Sequence, residues 1–500
     1  MEFLNFDFSS LFSFSTLFAI ILGTFVGILI GALPGLGAVL ALVLMLPLSY
    51  SMDPMAAILL LLATYQGAEY GGSISAVILG IPGTPAALVT VFDGNAMAKQ
   101  GKPGKAIAYS LTSSVIGGLA GGLALIFLSA PLVKFALSIG EPEFFLIGLL
   151  GLFAVGMLSS EDKVKSLIAA VLGLMVGTIG MDAFTGVPRF TFGEIELMEG
   201  VDLVALLVGM FAISELLIMV SKELKVKYQT DQKGVSRFMT RLSFKDFKKI
   251  FKASTVGSLV GIIIGIIPGM GAGPASWFSY TIAKKTSKSP ETFGKGNPEG
   301  IAGPEAANNA TVGGALLPLL TLGIPGSPSI AIIMGAFIIH GIQPGPKLFS
   351  VETELVYGLL FGFLLTTVAL YIIGKFVTAG FVKMLTIPNP VLIPVILGIS
   401  FIGAFAARNS FFDVWLALIV GVISLILIKL DFSLASFVLA LILCPIIEES
   451  FRRSLLLSDG SFSIFFTRPI SLILIAVILL IIVFSVIGSF KRKKSEELTF

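Results

Sequence analysis

The chain has 500 residues, of which 56% are apolar and 13% charged, with a mean hydropathy of +1.00. Soluble domains carry about 25% charged residues, so this composition excludes an ordinary soluble enzyme and points to a chain that lives in a bilayer. A single cysteine, Cys444, and a single histidine, His340, exclude an intramolecular disulfide, a cysteine-based metal cluster and the HExxH zinc arrangement. The net charge of +3 gives no footprint for nucleic acid.

In chain order, Met1–Ser10 carries Glu2 and Asp7 and no Lys or Arg. A cleavable secretory signal needs a basic start, so the first apolar segment is expected to be retained. Two apolar pieces, Phe12–Leu33 and Ala38–Tyr50, flank a break at Pro34, Gly35 and Gly37. A long interrupted segment, Pro54–Phe92, follows, then spans near Ile107–Leu132, Phe144–Leu158, Val164–Met181 and Val201–Val220. From Lys222 to Lys252 ten Lys or Arg face three acids, which reads as a solvated connector. The pattern then recurs: Ser254–Ile267 and Ala275–Ala283 flank Pro268, Gly269 and Gly271, and Ile301–Gly341 is interrupted. Spans follow near Leu355–Ile373, Val391–Ala406, Phe411–Ile428 and Phe432–Ile447, and a last one, Pro469–Phe490, precedes Lys491–Lys494. The expected fold is an all-α polytopic membrane protein with re-entrant hairpins or broken helices and roughly 11–12 spans. Residues 1–221 form a first repeat, 222–252 a basic connector, 253–450 a second repeat, and 451–500 a final span with a basic tail.

The repeat is carried by two matches. Val26–Gly37 and Val260–Gly271 are identical at eight of twelve positions, and Leu79–Pro85 and Leu322–Pro328 at six of seven, at offsets of 234 and 243 residues. Basic connections mark the cytoplasmic side. Counting sides from the acidic amino end to the basic connector puts the amino terminus outside, both basic segments inside, and the second copy inverted relative to the first.

The breaks are where chemistry can happen, because an interrupted helix in lipid exposes backbone N–H and C=O groups that only buried protein or a water-filled cavity tolerates. Thr84-Pro85 and Ser327-Pro328 read as a hydroxyl N-cap followed by proline at the first helical position. Each would start a half-helix whose amides and positive dipole end, with Gly83 and Gly326, form an anion socket without a lysine or arginine. Polar residues gather at the same places: Glu69 and Ser73 in the first interrupted segment, Glu305, Asn308 and Asn309 in the second. Ionisable residues inside a membrane are candidate functional groups. Glu69 and Glu305 are the candidates for balancing a coupling Na⁺ or carrying H⁺, with Na⁺ near Asn308 and Asn309. No P-loop is present, so the chain is not expected to hydrolyse ATP. Ser327 with His340 is the nearest approach to a hydrolytic pair, and Ser327 is better explained as a helix cap.

At Gly31–Gly37, Tyr70-Gly-Gly-Ser73, Pro82–Pro85, Asp93-Gly94 with Met97–Gly101, Pro304–Asn309, Gly323–Gly326 and Arg452–Leu457, the sequence resembles the large membrane subunit of the tripartite tricarboxylate transporter family, the TctA type. The resemblance covers nearly the whole chain. It implies an inner-membrane permease working with a small TctB-like membrane subunit and an extracytoplasmic TctC-like solute-binding protein that delivers a carboxylate such as citrate. It also implies uptake driven by an ion gradient, no organic cofactor and no enzymatic activity. The expected binding position is near the midplane, between the Pro34–Gly37 and Pro268–Gly271 tips, with Gly83, Thr84, Gly326 and Ser327 holding the carboxylates. The rival reading is an anion channel or membrane scaffold using the same breaks.

Overall fold

The computed structural model describes residues 7–158, 162–221, 242–384 and 389–497. Most of the basic connector, 222–241, lies outside the described residues, as do the side chains of Lys491–Lys494. The architecture is helical, as the hydropathy requires. Only a two-residue ribbon, β1 (Gly180–Met181) paired with β2 (Pro188–Arg189), departs from it. The span expected to end at Met181 therefore ends at Gly177, where the chain turns into this ribbon.

The helices in order are α1 (Phe14–Ala32), α2 (Gly37–Ser49), α3 (Pro54–Leu79), the short pieces α4 (Leu88–Thr90) and α5 (Ala96–Lys99), α6 (Pro103–Ala136), α7 (Glu141–Leu158) and α8 (Lys163–Gly177). Then come α9 (Leu203–Leu207) and α10 (Ser214–Ser221), joined by a π-turn, and α11 (Phe244–Ile266), α12 (Ala272–Thr286), α13 (Pro298–Leu322), α14 (Pro328–Ile339) and α15 (Leu348–Val351). The remainder are α16 (Thr353–Met384), α17 (Asn389–Arg408), α18 (Phe411–Lys429), α19 (Leu434–Leu457), α20 (Ile464–Thr467) and α21 (Pro469–Glu497). Among the described residues eight helical stretches are long and apolar enough to cross a membrane. The other long helices near the breaks, α3 and α13, are buried along nearly their whole length, Ala56–Val77 and Gly300–Thr321. They face protein rather than lipid, which is why they can carry polar side chains.

Two compact units are present. The larger comprises Met1–Pro131, Leu203–Ile266 and Gly271–Leu425, and the smaller Leu132–Asp202, Ile267–Met270 and Ile426–Phe500. In the larger unit α1 crosses α3 through glycines one turn apart: a Cβ on Gly23, Gly27 or Gly31 would sit 2.2, 2.3 or 2.2 Å from the carbonyl oxygen of Leu60, Thr64 or Ala68. The same pattern joins α11 to α13, where Gly257, Gly261 and Gly265 lie against the carbonyls of Gly303, Ala307 and Thr311. Within a membrane small residues let backbones approach, and dispersion contacts replace the hydrophobic drive. The six contacts match pair for pair at the two offsets read from the sequence. In the smaller unit Gly173 of α8 meets the Phe437 carbonyl of α19, and charged residues are paired at one end: Arg189–Glu448 and Arg452–Asp182, both at 2.7 Å, and Arg468–Glu143 at 2.6 Å.

Candidate functional site

Every one of the four proline-glycine breaks interrupts its helix. Pro34 and Pro268 lie in the turns between α1 and α2 and between α11 and α12. Pro82 and Pro325 lie in five-residue breaks after α3 and α13. Both longer helices end on a left-handed glycine, Gly80 at φ +71° and Gly323 at φ +75°, each donating its amide back to the preceding turn. Only glycine takes this conformation cheaply. The chain then crosses back over its own hairpin. A Cβ on Gly83 would lie 1.9 Å from the Gly31 carbonyl oxygen and 2.8 Å from the Gly72 Cα, and one on Gly326 would lie 2.8 Å from both the Gly265 carbonyl oxygen and the Ala315 Cα.

The two half-helix starts differ. Ser327 behaves as a cap: its Oγ accepts the Ile330 amide at 3.2 Å, with Pro328 in the first turn. Thr84 does not, contrary to the sequence expectation. Pro85–Ala87 opens as a 3₁₀ turn in which the Ala87 amide reaches the Thr84 carbonyl at 3.1 Å, so the hydroxyl is not needed as a cap. It stays buried beside Gly72 with no partner in the protein. The Gly83 amide is also engaged, donating to the Gly72 carbonyl at 3.2 Å.

Between α3 and α13 lies a buried polar cluster. Glu305 accepts from three hydroxyls, Thr90 at 2.5 Å on one oxygen and Ser110 and Ser114 at 3.1 Å each on the other. Ser73 joins it through Ser110, with 2.5 Å between the two hydroxyl oxygens. Asn308 donates to the Glu69 carbonyl at 3.3 Å, and the Tyr65 hydroxyl is 3.5 Å from Ser327 Oγ. Gln66 accepts from Thr367 at 3.0 Å. Each interrupted helix thus touches the broken segment of the other repeat. What the cluster lacks is as informative. Glu69 Oε2, Gln66 Nε2, Thr84 Oγ1, Asn308 Oδ1 and both amide atoms of Asn309 are buried with no hydrogen-bond partner. A buried polar atom left unpaired costs about 1–3 kcal/mol, so these atoms carry hydrogen-bonding capacity that the described residues do not use. No lysine or arginine forms an ion pair with either glutamate among the described residues.

The structure therefore brings together Glu69, Ser73, Thr84, Glu305, Asn308 and Ser327, with Gly83 and Gly326 close-packed in the breaks, while Asn309 is buried on α13 with both amide atoms unpaired. The tip glycines stand apart from these hydrogen bonds: an added Cβ at Gly35, Gly37 or Gly271 meets nothing within 4 Å, and Pro34, Pro268 and Gly269 serve as turn residues. Sequence reasoning missed Thr90, Ser110 and Ser114, whose only signal was a cluster of hydroxyls at 110–114 in an otherwise apolar span. It also gave no role to Asp93. That carboxylate accepts the amides of Gly294, Gly296 and Asn297 at 2.9, 2.9 and 2.7 Å and the Tyr280 hydroxyl at 3.0 Å, latching the loop that leads into α13.

A family model described as the tripartite tricarboxylate transporter TctA family matches residues 17–439. The chain is 36% identical over 475 residues, 95% of its own length and 94% of the relative's, to an uncharacterized 52.8 kDa protein in the TAR-I ttuC′ 3′ region of Agrobacterium vitis. It is 37% identical over 222 residues to an uncharacterized protein in the TAR-II ttuC′ 3′ region of the same organism, covering 44% of this chain and 92% of that one. No solved structure matches it. With residues 17–439 in one family model and eight apolar helical stretches of spanning length, the chain belongs to the tripartite tricarboxylate transporter TctA family and is a multi-pass membrane component of a transport system.

Proposed function

We propose that this chain is the permease subunit of a secondary active importer of carboxylates such as citrate, driven by Na⁺ or H⁺. The observation that carries the reading is the pair of buried glutamates with no basic partner among the described residues, set among unpaired polar atoms on α3 and α13, the helices that lead into two matched breaks. A carboxylate guest placed there adds negative charge to a site that already holds two acids. Burying such charge is prohibitive unless cations come with it. Coupling to a cation is then a requirement of the electrostatics.

In this mechanism the substrate's carboxylates face the first turns after Thr84 and Ser327, while Asn308 and Asn309 offer oxygens to Na⁺ and Glu69 and Glu305 balance Na⁺ or take up H⁺. The two repeats lie in the membrane with opposite sense, with the amino terminus outside and the carboxyl terminus in the cytoplasm of the inner membrane, and exchange access to the site. A TctC-like solute-binding protein delivers the substrate, and a TctB-like subunit completes the complex. The test is uptake of labelled citrate by cells expressing the chain with both partners. Accumulation against a gradient that collapses when Na⁺ is replaced by choline at fixed pH, or when the pH gradient is dissipated, supports the reading and identifies the ion. Equilibration without accumulation rejects it in favour of a channel.

A further inference from the structure

We propose that the larger unit carries a binding site for an anionic phospholipid, at the end where α6 and α11 begin and α16 finishes, with Lys375 as the headgroup contact. A cavity of about 690 Å³ lies there, walled by Tyr70, Leu111, Thr112, Phe247, Tyr371 and Lys375 among others. Most of this wall is hydrocarbon or aromatic ring.

The cation in it is unusual. The Lys375 ammonium lies 5.7 Å from the ring centroids of both Tyr371 and Phe376, and no carboxylate pairs with it among the described residues. Lys105, near the start of α6, is by contrast tied to Asp246 at 2.8 Å. A lysine on a membrane helix that lacks an acidic partner is costly unless an anion meets it or it reaches the interface. The exposed rings of Tyr371, Phe376 and Phe244 fit the aromatic level of a bilayer.

Lys375 is the one lysine or arginine among the described residues that line the slot, and one cation beside an apolar wall matches one phosphate followed by an acyl chain. It does not match a tricarboxylate, which would leave two further charges against hydrocarbon. The slot ends on the Tyr70 phenol, hydrogen-bonded to Thr378 at 3.0 Å. Tyr70 follows Glu69 on α3, so an acyl chain seated here packs against the helix that carries the candidate transport site. The proposal rests on the membrane location and not on the coupling mechanism.

The test uses the full-length chain in nanodiscs of equimolar phosphatidylglycerol and phosphatidylcholine, with retained lipids read by native mass spectrometry. The wild type should retain phosphatidylglycerol in preference, K375R should keep the preference, and K375Q should lose about fivefold of it. T112W, which puts an indole into the slot and leaves the charge in place, should lose retention of both lipids. An undiminished preference in K375Q, no preference in the wild type, or full retention in T112W would overturn the proposal. So would displacement of the lipid by citrate from the wild type, which would assign the cavity to soluble carboxylates instead.

Discussion

Replacing Glu305 by Gln keeps the side chain's size and removes its charge. The carboxylate accepts three hydroxyl protons, one on Oε1 and two on Oε2. An amide offers one acceptor oxygen and one donor nitrogen in their place, so some hydroxyl must redirect its proton. Turning the nitrogen toward Thr90 displaces one donor, and turning it toward Ser110 and Ser114 displaces two, so the first arrangement is favoured. Bonds to a charged acceptor contribute about 1.5–3 kcal/mol and neutral ones about 1 kcal/mol. One lost bond and two weakened ones come to about 2.5–7 kcal/mol, offset in part because a charge is no longer buried. E305Q should therefore insert and fold, with a lowered apparent Tm in detergent. Transport should suffer too. A charge-assisted contact to the coupling cation contributes about 1.5–3 kcal/mol, so its loss should lower cation-dependent uptake by about ten- to a hundredfold. The assay is labelled citrate uptake at limiting coupling ion, normalised to protein in the membrane. Wild-type uptake with unchanged ion dependence in E305Q would refute the assignment of Glu305 to the coupling site.

Three further outcomes are expected. G83V and G326V should both abolish uptake while leaving membrane insertion intact, G83V being the more damaging because its Cβ would sit 1.9 Å from the Gly31 carbonyl oxygen against 2.8 Å at the other break; overpacking of this kind costs about 1–3 kcal/mol or more, and normal uptake by both variants rejects the role of the breaks. D93A strands three backbone amides of the loop before α13, so the apparent Tm should drop and hydrogen exchange at 294–297 should speed up, by on the order of 3 kcal/mol or more in local stability; unchanged exchange would show that the latch holds nothing. At the β-ribbon turn the Thr185 amide, followed by Arg452, holds the Asp182 carboxyl well below its ordinary value of 3.8. Because the folded value is the lower one, this contribution is fully present above 3.8 and is lost as pH falls through the folded value. Protection factors at Phe184 and Thr185, with intrinsic exchange divided out, should therefore fall in acid, and unchanged protection there would contradict it.

Much of the fold was legible because its signals are local. Pro34, Pro82, Pro268 and Pro325 mark breaks because glycines within two residues of them, Gly35, Gly80, Gly269 and Gly323, take φ values closed to other residues; proline alone does not suffice, since Pro47, Pro131, Pro318, Pro394 and Pro445 stay inside helices. The close helix crossings at Gly23, Gly27 and Gly31 and at Gly257, Gly261 and Gly265 came from the structure, although the four-residue spacing of these glycines was in the sequence. The site was legible in kind and not in detail. That Glu69, Glu305 and Asn308 matter was legible from their being polar residues in the two interrupted segments; that they lie in the bodies of α3 and α13 and not at the breaks was not. That Thr90, Ser110 and Ser114 all aim at Glu305 was not legible either, because a hydroxyl in an apolar span is as often bonded to its own helix, as Thr64 and Thr321 are. Thr84 and Ser327 occupy equivalent positions with equivalent side chains, yet only Ser327 caps; the difference goes with whether the next turn opens as 3₁₀ or α.

By itself, then, the order of amino acids determined a membrane chain, two related halves and the places where helices stop, because hydropathy, proline and glycine act on the backbone within a few residues. The tertiary structure alone decided which polar atoms meet and which are left unpaired. Glu305 and its hydroxyl donors are 191 to 215 residues apart, and no local preference reports on a contact made only when two separate hairpins pack together.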